Sequence, residues 1–369
     1  MTTEGRSDDT VAPLAERLLI WFDQHGRHDL PWQHPRDPYR VWLAEIMLQQ
    51  TQVQTVIPYF TRFISALPDL PALAAAPIDQ VMALWSGLGY YTRARNLHAA
   101  ARLCVQQHGG HLPQTFDDLV ALPGIGRSTA GAILAQAHGL PFPILDGNVR
   151  RVLARWRAIE GWPGSTDTQK TLWALAQTQL PDTRLADYTQ ALMDLGATIC
   201  TRHKPDCAHC PLRADCLAYR EDRIDELPTP RPAKALPQRQ CLMLLAFDAS
   251  NRVLLQRRIH SGVWQGLWSL PEAPDPASLQ VVSALQIQTH AQGRALPAFE
   301  HVFSHYRLQI TPWLVAPATA LPHLGDDEIW RWVAVDELGA IGLPAPVRKL
   351  IASQSGSCTQ TMPSSTLST

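Results

Sequence analysis

Two carboxylates stand in surroundings that push them toward opposite chemistry. In YRVWLAEIMLQQT, Glu45 has Val41, Trp42 and Leu48 as helical neighbours at i−4, i−3 and i+3, which places its carboxyl on an apolar face. Burial there raises a carboxyl pKa toward that of a proton donor; the plain alternative is a glutamate reaching outward from an amphipathic helix. Asp146, in ILDGNVRRVLARW, precedes a helix whose apolar face is Val149, Val152, Leu153 and Trp156. It reads equally as a helix cap and as a carboxylate kept ionised by the helix N-terminus, as a site facing a developing positive charge requires. An acid and an anion together are the pairing that breaks glycosidic bonds through an oxocarbenium-like transition state. Arg150, Arg151, Arg155 and Arg157 follow at once as a local basic stripe.

Two further motifs flank this pair. LVALPGIGRSTAGAILAQA, residues 119–137, joins two apolar-faced helices through Pro123-Gly124-Ile125-Gly126. Glycines there let backbone N–H groups approach an anion, and the second helix aims its positive end at the same place; a Gly-x-Gly alone is also an ordinary helix-helix turn. Cys200, Cys207, Cys210 and Cys216 form C-x6-C-x2-C-x5-C, a metal-centre spacing that zinc and a [4Fe–4S] cluster satisfy equally. Arg202, Lys204 and Arg213 lie in or beside that loop, cations suited to a phosphate backbone.

Helices must position these groups. Apolar spacing is helical from residue 12 to about 220, starting with Pro13 and Leu14, Leu18 and Trp21 on one face and stopping at Gly26. Further helices are expected at 38–50, 52–66, 90–108, 115–121, 127–138, 148–157, 168–179 and 187–199. RIDELPTPRPAKALP, residues 223–237, is a proline-rich linker. Beyond it CLMLLAF, the turn DASN and RVLLQRR read as a β-hairpin, HYRLQITPWLV and EIWRWVAV as strands, and PAPVRKLIAS as a closing helix.

The chain has 369 residues, 46% of them hydrophobic, enough for two cores. The expected division is a helical domain at 1–222, with hairpin 119–137 and cysteine loop 200–216, the linker 223–237, a second domain at 238–352 and a disordered tail at 353–369. The net charge of −1 excludes a protein that coats nucleic acid nonspecifically, so any such contact is local. Seven cysteines, an odd number with Cys200, Cys207, Cys210 and Cys216 crowded together and Cys104, Cys241 and Cys358 isolated, argue against a secreted disulfide framework. No stretch approaches the ~20 apolar residues of a membrane span, and MTTEGRSDDT is unlike a signal peptide, which points to the cytoplasm.

Taken together, LPGIGRSTA, ILDGNVRRVL, LAEIMLQQT and the four-cysteine loop closely resemble the adenine DNA glycosylases of the MutY type, within the endonuclease III superfamily. The likeness spans residues 12–220 and continues past the linker. It implies a multidomain fold: an all-α helix-hairpin-helix glycosylase domain with an iron–sulfur loop, then an α+β Nudix-like domain. It implies one [4Fe–4S] cluster on Cys200, Cys207, Cys210 and Cys216. Glu45 would protonate adenine at N7 and handle the water; Asp146 would stabilise or capture the C1′ cation. Gln50, Leu88 and Tyr90 would wedge into the base stack, Gly124, Gly126 and Ser128 would meet the DNA, and Gln190 would lie near the adenine. Phe303, Ser304 and His305 would sense 8-oxoguanine opposite it. Bifunctional relatives carry a lysine where this chain has Ser128, and none of its lysines, Lys170, Lys204, Lys234 and Lys349, is near the hairpin, so base release without strand cleavage is expected. The expected partner is duplex DNA with A:8-oxoG or A:G mispairs, A:C being an open case, bound by a monomer in a bacterial-type cytoplasm, at the nucleoid when on DNA.

Three other readings compete. A glycosylase for another mispair, such as one with thymine, leaves the second domain without evident purpose. A DNA-binding protein whose hairpin and metal loop only hold DNA predicts that Asp146→Asn is harmless. A Nudix hydrolase finds its opening signature in Gly266 and Glu272 of GLWSLPE, but SLQVVSALQ lacks the arginine and glutamates needed next.

Overall fold

The computed structural model describes residues 11–232, 235–248, 250–260, 262–273, 293–315 and 329–355. Outside them lie most of the expected tail, from residue 356 on, Cys358, Lys234 and the SLQVVSALQ segment at 278–286. Two compact units form, residues 1–75 with 99–233 and residues 76–98 with 234–369.

The first unit is helical. Its described elements are α1 (Leu14–His25), α2 (Pro38–Leu48), α3 (Val53–Ala66), α4 (Leu70–Ala75), then α7 (Phe116–Ala121), α8 (Arg127–His138), α9 (Gly147–Trp156), α10 (Thr166–Thr178), α11 (Leu185–Thr198) and α12 (Leu217–Arg220). Several start where a short polar side chain satisfies an orphan N–H: Asp37 accepts from Arg40 ahead of Pro38, Thr115 from Asp118, Ser165 from Thr168 and Asp146 from Val149. Leu14, Leu18, Trp21 and Phe22 of α1 share one core with Val149, Val152, Leu153 and Trp156 of α9 and with Tyr188, Leu192 and Leu195 of α11. Helix α8 is buried along almost its whole length, from Thr129 to Gln136. Such a helix anchors whatever is attached to either end.

The second unit contains α5 (Ile78–Trp85) and the start of α6 (Thr92–Gln107), followed by strands. β1 (Gln238–Ala246) runs parallel to β7 (Arg307–Val315) and antiparallel to β4 (Glu272–Ala273); β5 (Gly293–Ala295) and β6 (Phe299–Val302) also pair with β7. β2 (Arg252–Arg257) joins β3 (Trp268–Ser269) and β8 (Trp330–Ala334) in a second sheet, and α13 (Ala345–Ser355) follows. The expected hairpin of CLMLLAF and RVLLQRR does not form as such. A single bridge, Phe247 to Val253, closes the turn, and β1 and β2 then enter different sheets. Both edges of β1 are taken, by β4 and β7, so β2 finds its ladders elsewhere.

Residues 76–98 are bonded into this unit. Ser86 Oγ and Tyr91 Oη each donate to the Leu343 carbonyl at 3.2 Å, Arg348 donates to Ser86 Oγ at 3.1 Å, and Arg257 pairs with Asp79 at 3.0 Å. Gly342 packs so tightly that a Cβ there would lie 2.8 Å from the Cβ of Met82. Among the described residues, no helix is long and apolar enough to cross a membrane.

Candidate active site

Asp146 caps α9, and its carboxylate is met by donors: Val149 N–H reaches Oδ1 at 2.7 Å and Asn148 Nδ2 reaches Oδ2 at 3.4 Å. The approach to it is equally constrained. Leu145 N–H donates to Ser128 Oγ at 3.0 Å, and Arg150 Nε returns to the Leu145 carbonyl at 3.0 Å. A Cβ on Gly131 would stand 2.4 Å from the Pro143 carbonyl oxygen, so only glycine lets α8 lie this close under the chain entering the cap. On the other side, a Cβ on Gly196 would lie 2.5 Å from the Cβ of Asn148. Arg151 ties the same turn down, donating to Asn148 Oδ1 at 2.9 Å, to the Gly196 carbonyl at 2.6 Å and to the Cys200 carbonyl at 2.7 Å.

Glu45, on α2, accepts from Gln136 Nε2 at 3.0 Å. Solvent reaches part of the residue, but its carboxyl is enclosed, and this burial, with the Asp146 charge nearby, raises its pKa to about 7. Asp146 does not behave as its cap position alone predicts. Its pKa is raised, because burial outweighs the Val149 and Asn148 hydrogen bonds and the charges of Arg151 and Arg150. The order of ionisation still follows from the partners. Asp146 has two hydrogen-bond donors and two guanidinium charges on the side of its anion, Glu45 one neutral amide, so Asp146 loses its proton first and its charge then holds the proton on Glu45.

Gln190 is buried on α11, and its Nε2 donates to Asp194 Oδ1 at 2.7 Å. Arg27 holds Asp194 through its backbone N–H at 2.7 Å and its guanidinium at 2.9 and 2.6 Å. Among the described residues Gln190 Oε1 has no hydrogen-bond partner, an unspent acceptor in a buried position.

The hairpin is formed by α7 and α8 with Gly124 at φ 81°. Gly126 has extended backbone as the cap of α8, and among the described residues nothing lies within 4 Å of where its Cβ would be. Gln50 and Tyr90 both sit in the left-handed region, at φ 58° and 49°, and Tyr90 is half exposed. Leu88, two residues before Tyr90, is buried.

Phe303, Ser304 and His305 follow β6, with Phe303 N–H bonded to the Tyr306 carbonyl at 2.9 Å. Phe303 packs edge-on to Trp264 at 5.1 Å and to His301 at 4.6 Å. With Tyr90, Tyr91 and Arg95 they line a cleft of about 530 Å³, large enough for a nucleobase. Arg95 donates to the Gln265 carbonyl and, at 3.3 Å, to its side chain, so the α6 start and the Trp264 turn are clamped together. Glu272, of the incomplete Nudix signature, is paired with Arg258 at 2.5 Å.

Cys200, Cys207, Cys210 and Cys216 line one cavity, and none is in a disulfide. Burial pushes the thiols of Cys207, Cys210 and Cys216 up, and the neighbouring sulfurs push them further. Arg155, itself buried, donates to Cys200 Sγ at 3.5 Å, to the Thr201 carbonyl at 2.7 Å, to Arg202 at 3.1 Å and to Leu227 at 2.8 Å. Among the described residues, no three His, Cys, Asp or Glu side chains gather tightly enough to hold a single ion.

Gln136, Asn148, Asp194 and Trp264 went unread in the sequence. Gln136 had a signal, a lone amide inside the apolar run GAILAQA; Asn148 had its place two residues beyond Asp146. Asp194 and Trp264 act through long-range contacts and had none.

The family model described as HhH-GPD superfamily base excision DNA repair protein matches residues 43–178, and the NUDIX domain model matches residues 242–353. The adenine DNA glycosylase of Buchnera aphidicola subsp. Schizaphis graminum (strain Sg) is 34% identical over 93% of this chain and 99% of its own length. That of Mus musculus is 36% identical over 92% of this chain and 77% of its own. A solved thermostable thymine-DNA glycosylase is similar in structure, with TM-score 0.50 and 28% identity, covering 56% of this chain and 95% of that one.

Proposed function

The chain belongs to the adenine DNA glycosylases, and from that premise we propose that it is a monofunctional glycosylase excising adenine opposite 8-oxoguanine, and opposite guanine, in base excision repair. The observation that carries this is the split between Glu45, held as an acid to about pH 7, and Asp146, furnished with donors to its anion.

Adenine is extruded from the stack, a step costing a few kcal/mol and least at a mispair. Gln50 and Tyr90 fill the gap, helped by the strained backbone that fixes their direction, while Leu88 is buried. Backbone N–H groups of Gly124 and Gly126, with the N-terminus of α8 at Ser128, grip the phosphates. The flipped base donates its exocyclic amine to Gln190 Oε1, and Glu45 protonates N7. The C1′–N9 bond then breaks, and Asp146 faces the cation that develops at C1′. Glu45, now a carboxylate, takes the proton from the attacking water. Ser128 is a hydroxyl already spent on the Leu145 N–H, so no amine is present to form an imine with C1′. Phe303, Ser304 and His305 read the base opposite. Cys200, Cys207, Cys210 and Cys216 line one cavity, a set of four thiols whose chemistry fits a metal centre. A [4Fe–4S] cluster there would fix the loop and its cations Arg202, Lys204 and Arg213 for phosphate contact.

The thymine-mispair reading is weaker, because the adenine-specific relatives span the strand-rich half and the thymine enzyme covers 56% of the chain. Base-release assays on A:8-oxoG, A:G and A:C duplexes decide the matter. Release of adenine without strand scission is expected; no release from any of the three, or an efficient borohydride-trapped adduct, overturns the reading.

A further inference from the structure

Helix α8 places one amide in an apolar environment. Gln136 is buried, with Ala132, Ile133, Leu134 and Ala135 of the same helix also buried, and its Nε2 donates to Glu45 Oε1 at 3.0 Å. Burying an amide is costly unless it is bonded, and the bond found here ends on the proposed acid. We propose that Gln136 is a positioning residue for Glu45: by occupying Oε1 it confines the transferable proton to Oε2, and it steadies the carboxylate left when that proton moves to adenine N7. The proposal rests on Glu45 being the acid of the reaction. In the transfer the Oε2–H bond breaks, N7–H forms, and the negative charge returns to a carboxylate whose other oxygen already accepts an N–H.

The charged groups around Glu45 are otherwise accounted for. On its own helix Arg40 is turned to the Asp37 carboxylate and the Pro31 carbonyl. On α3, Arg62 lies over the Tyr59 ring; at the start of α8, Arg127 lies 4.0 Å over Trp173, while His138 ends the helix beyond Gln136. Beside the cap, Arg150 and Arg151 are bonded to carbonyls. Asp146 is the charge that acts on Glu45, raising its pKa, and Gln136 acts against it. Its removal therefore has a sign: a donor to the charged form is lost, and Glu45 holds its proton to higher pH.

The test is single-turnover adenine release from an A:8-oxoG duplex across pH 5–9 for the full chain and for Gln136→Leu and Gln136→Met, two near-isosteric variants, with folding checked by thermal melting. The alkaline limb is expected to move up by about 0.5–1 pH unit, with the low-pH plateau falling about tenfold as the carboxyl loses its fixed direction. Duplex affinity should be unchanged. A limb that stays in place in folded variants overturns the proposal. A limb that moves down overturns it too, since Gln136 would then accept from a protonated Glu45. Glu45→Gln separates this from the underlying reading: if that variant still releases adenine at the unaltered rate, Glu45 is not the acid; if it is inactive while the Gln136 limb is unmoved, only the positioning role fails.

Discussion

The two carboxylates differ less by position than by what each is given to bond. Asp146→Asn removes an anion while leaving an Oδ1 able to accept the Val149 N–H, so the cap survives and the chemistry does not. Adenine release should fall at least about a hundredfold with duplex binding retained; a variant that still turns over in a base-release assay sinks the catalytic role and favours a plain cap. Glu45 carries a second, thermodynamic consequence. Its folded pKa of about 7 exceeds the ordinary carboxyl value of 4.5, so the folded state binds the proton more tightly than the unfolded. Stability from this group is complete below pH 4.5 and is lost as pH rises through 7. Glu45→Gln, neutral at every pH, should melt close to the wild type at pH 5 and higher by a few degrees at pH 8.5, a gain on the order of 3 kcal/mol. Differential scanning at the two pH values measures it, and equal melting at both contradicts a buried acid. Glu45 was legible in the sequence because three apolar neighbours share its helical face. The upward shift at Asp146 was not, because the cap is a local feature and burial of the carboxyl is not.

At the scale of elements, glycine rather than side-chain chemistry sets how closely the site is assembled. Gly131→Ala would press a methyl group on the Pro143 carbonyl and lift the chain leading to Asp146 off α8. Overpacking of this kind costs about 1–3 kcal/mol, and displacement of the cap should lower kcat far more than duplex affinity; stability lost with kcat intact would mean that the chain relaxes without moving Asp146. Arg155 does for the cysteine loop what Gly131 does for the cap. Replacing it with Leu leaves the carbonyls of Thr201, Arg202 and Leu227 without their donor, so the loop should lose order and with it its hold on the cluster proposed there, read by iron analysis and visible absorbance, at about 2–4 kcal/mol of stability. The helices that bear these groups were readable from capping residues and 3.6-residue periodicity. Helices α4 and α5 were not, since Pro68, Pro71 and Pro77 break LPDLPALAAAPIDQ into pieces too short for a period. Strands β3 and β4 have two residues each, below any alternating pattern, and the parallel pairing of β1 with β7 joins residues far apart in sequence.

For the molecule as a whole, the proline-rich linker is a boundary in sequence but not a complete division in space. Residues 76–98, which carry Tyr90, belong to the same compact unit as the strands after the linker. Ser86, Tyr91 and Arg95 are bonded to Leu343, Arg348 and Gln265, so the turn that presents Tyr90 is fastened by the part of the chain proposed to read the opposite base. A chain ending at residue 232 keeps the core shared by α1, α9, α10 and α11, along with Glu45 and Asp146. It should therefore fold and release adenine from A:G duplexes. What it loses is the cleft lined by Phe303, Ser304 and His305 and the fastening of the 87–91 turn. Its preference for A:8-oxoG over A:G should fall by an order of magnitude or more, about 1.4 kcal/mol for each tenfold, and limited proteolysis should find new cleavage between residues 86 and 95. The two losses have one cause, so they must appear together. Preference lost without new cleavage would assign discrimination to the cleft alone, and new cleavage with preference intact would place the reading of the opposite base outside the strand-rich half altogether.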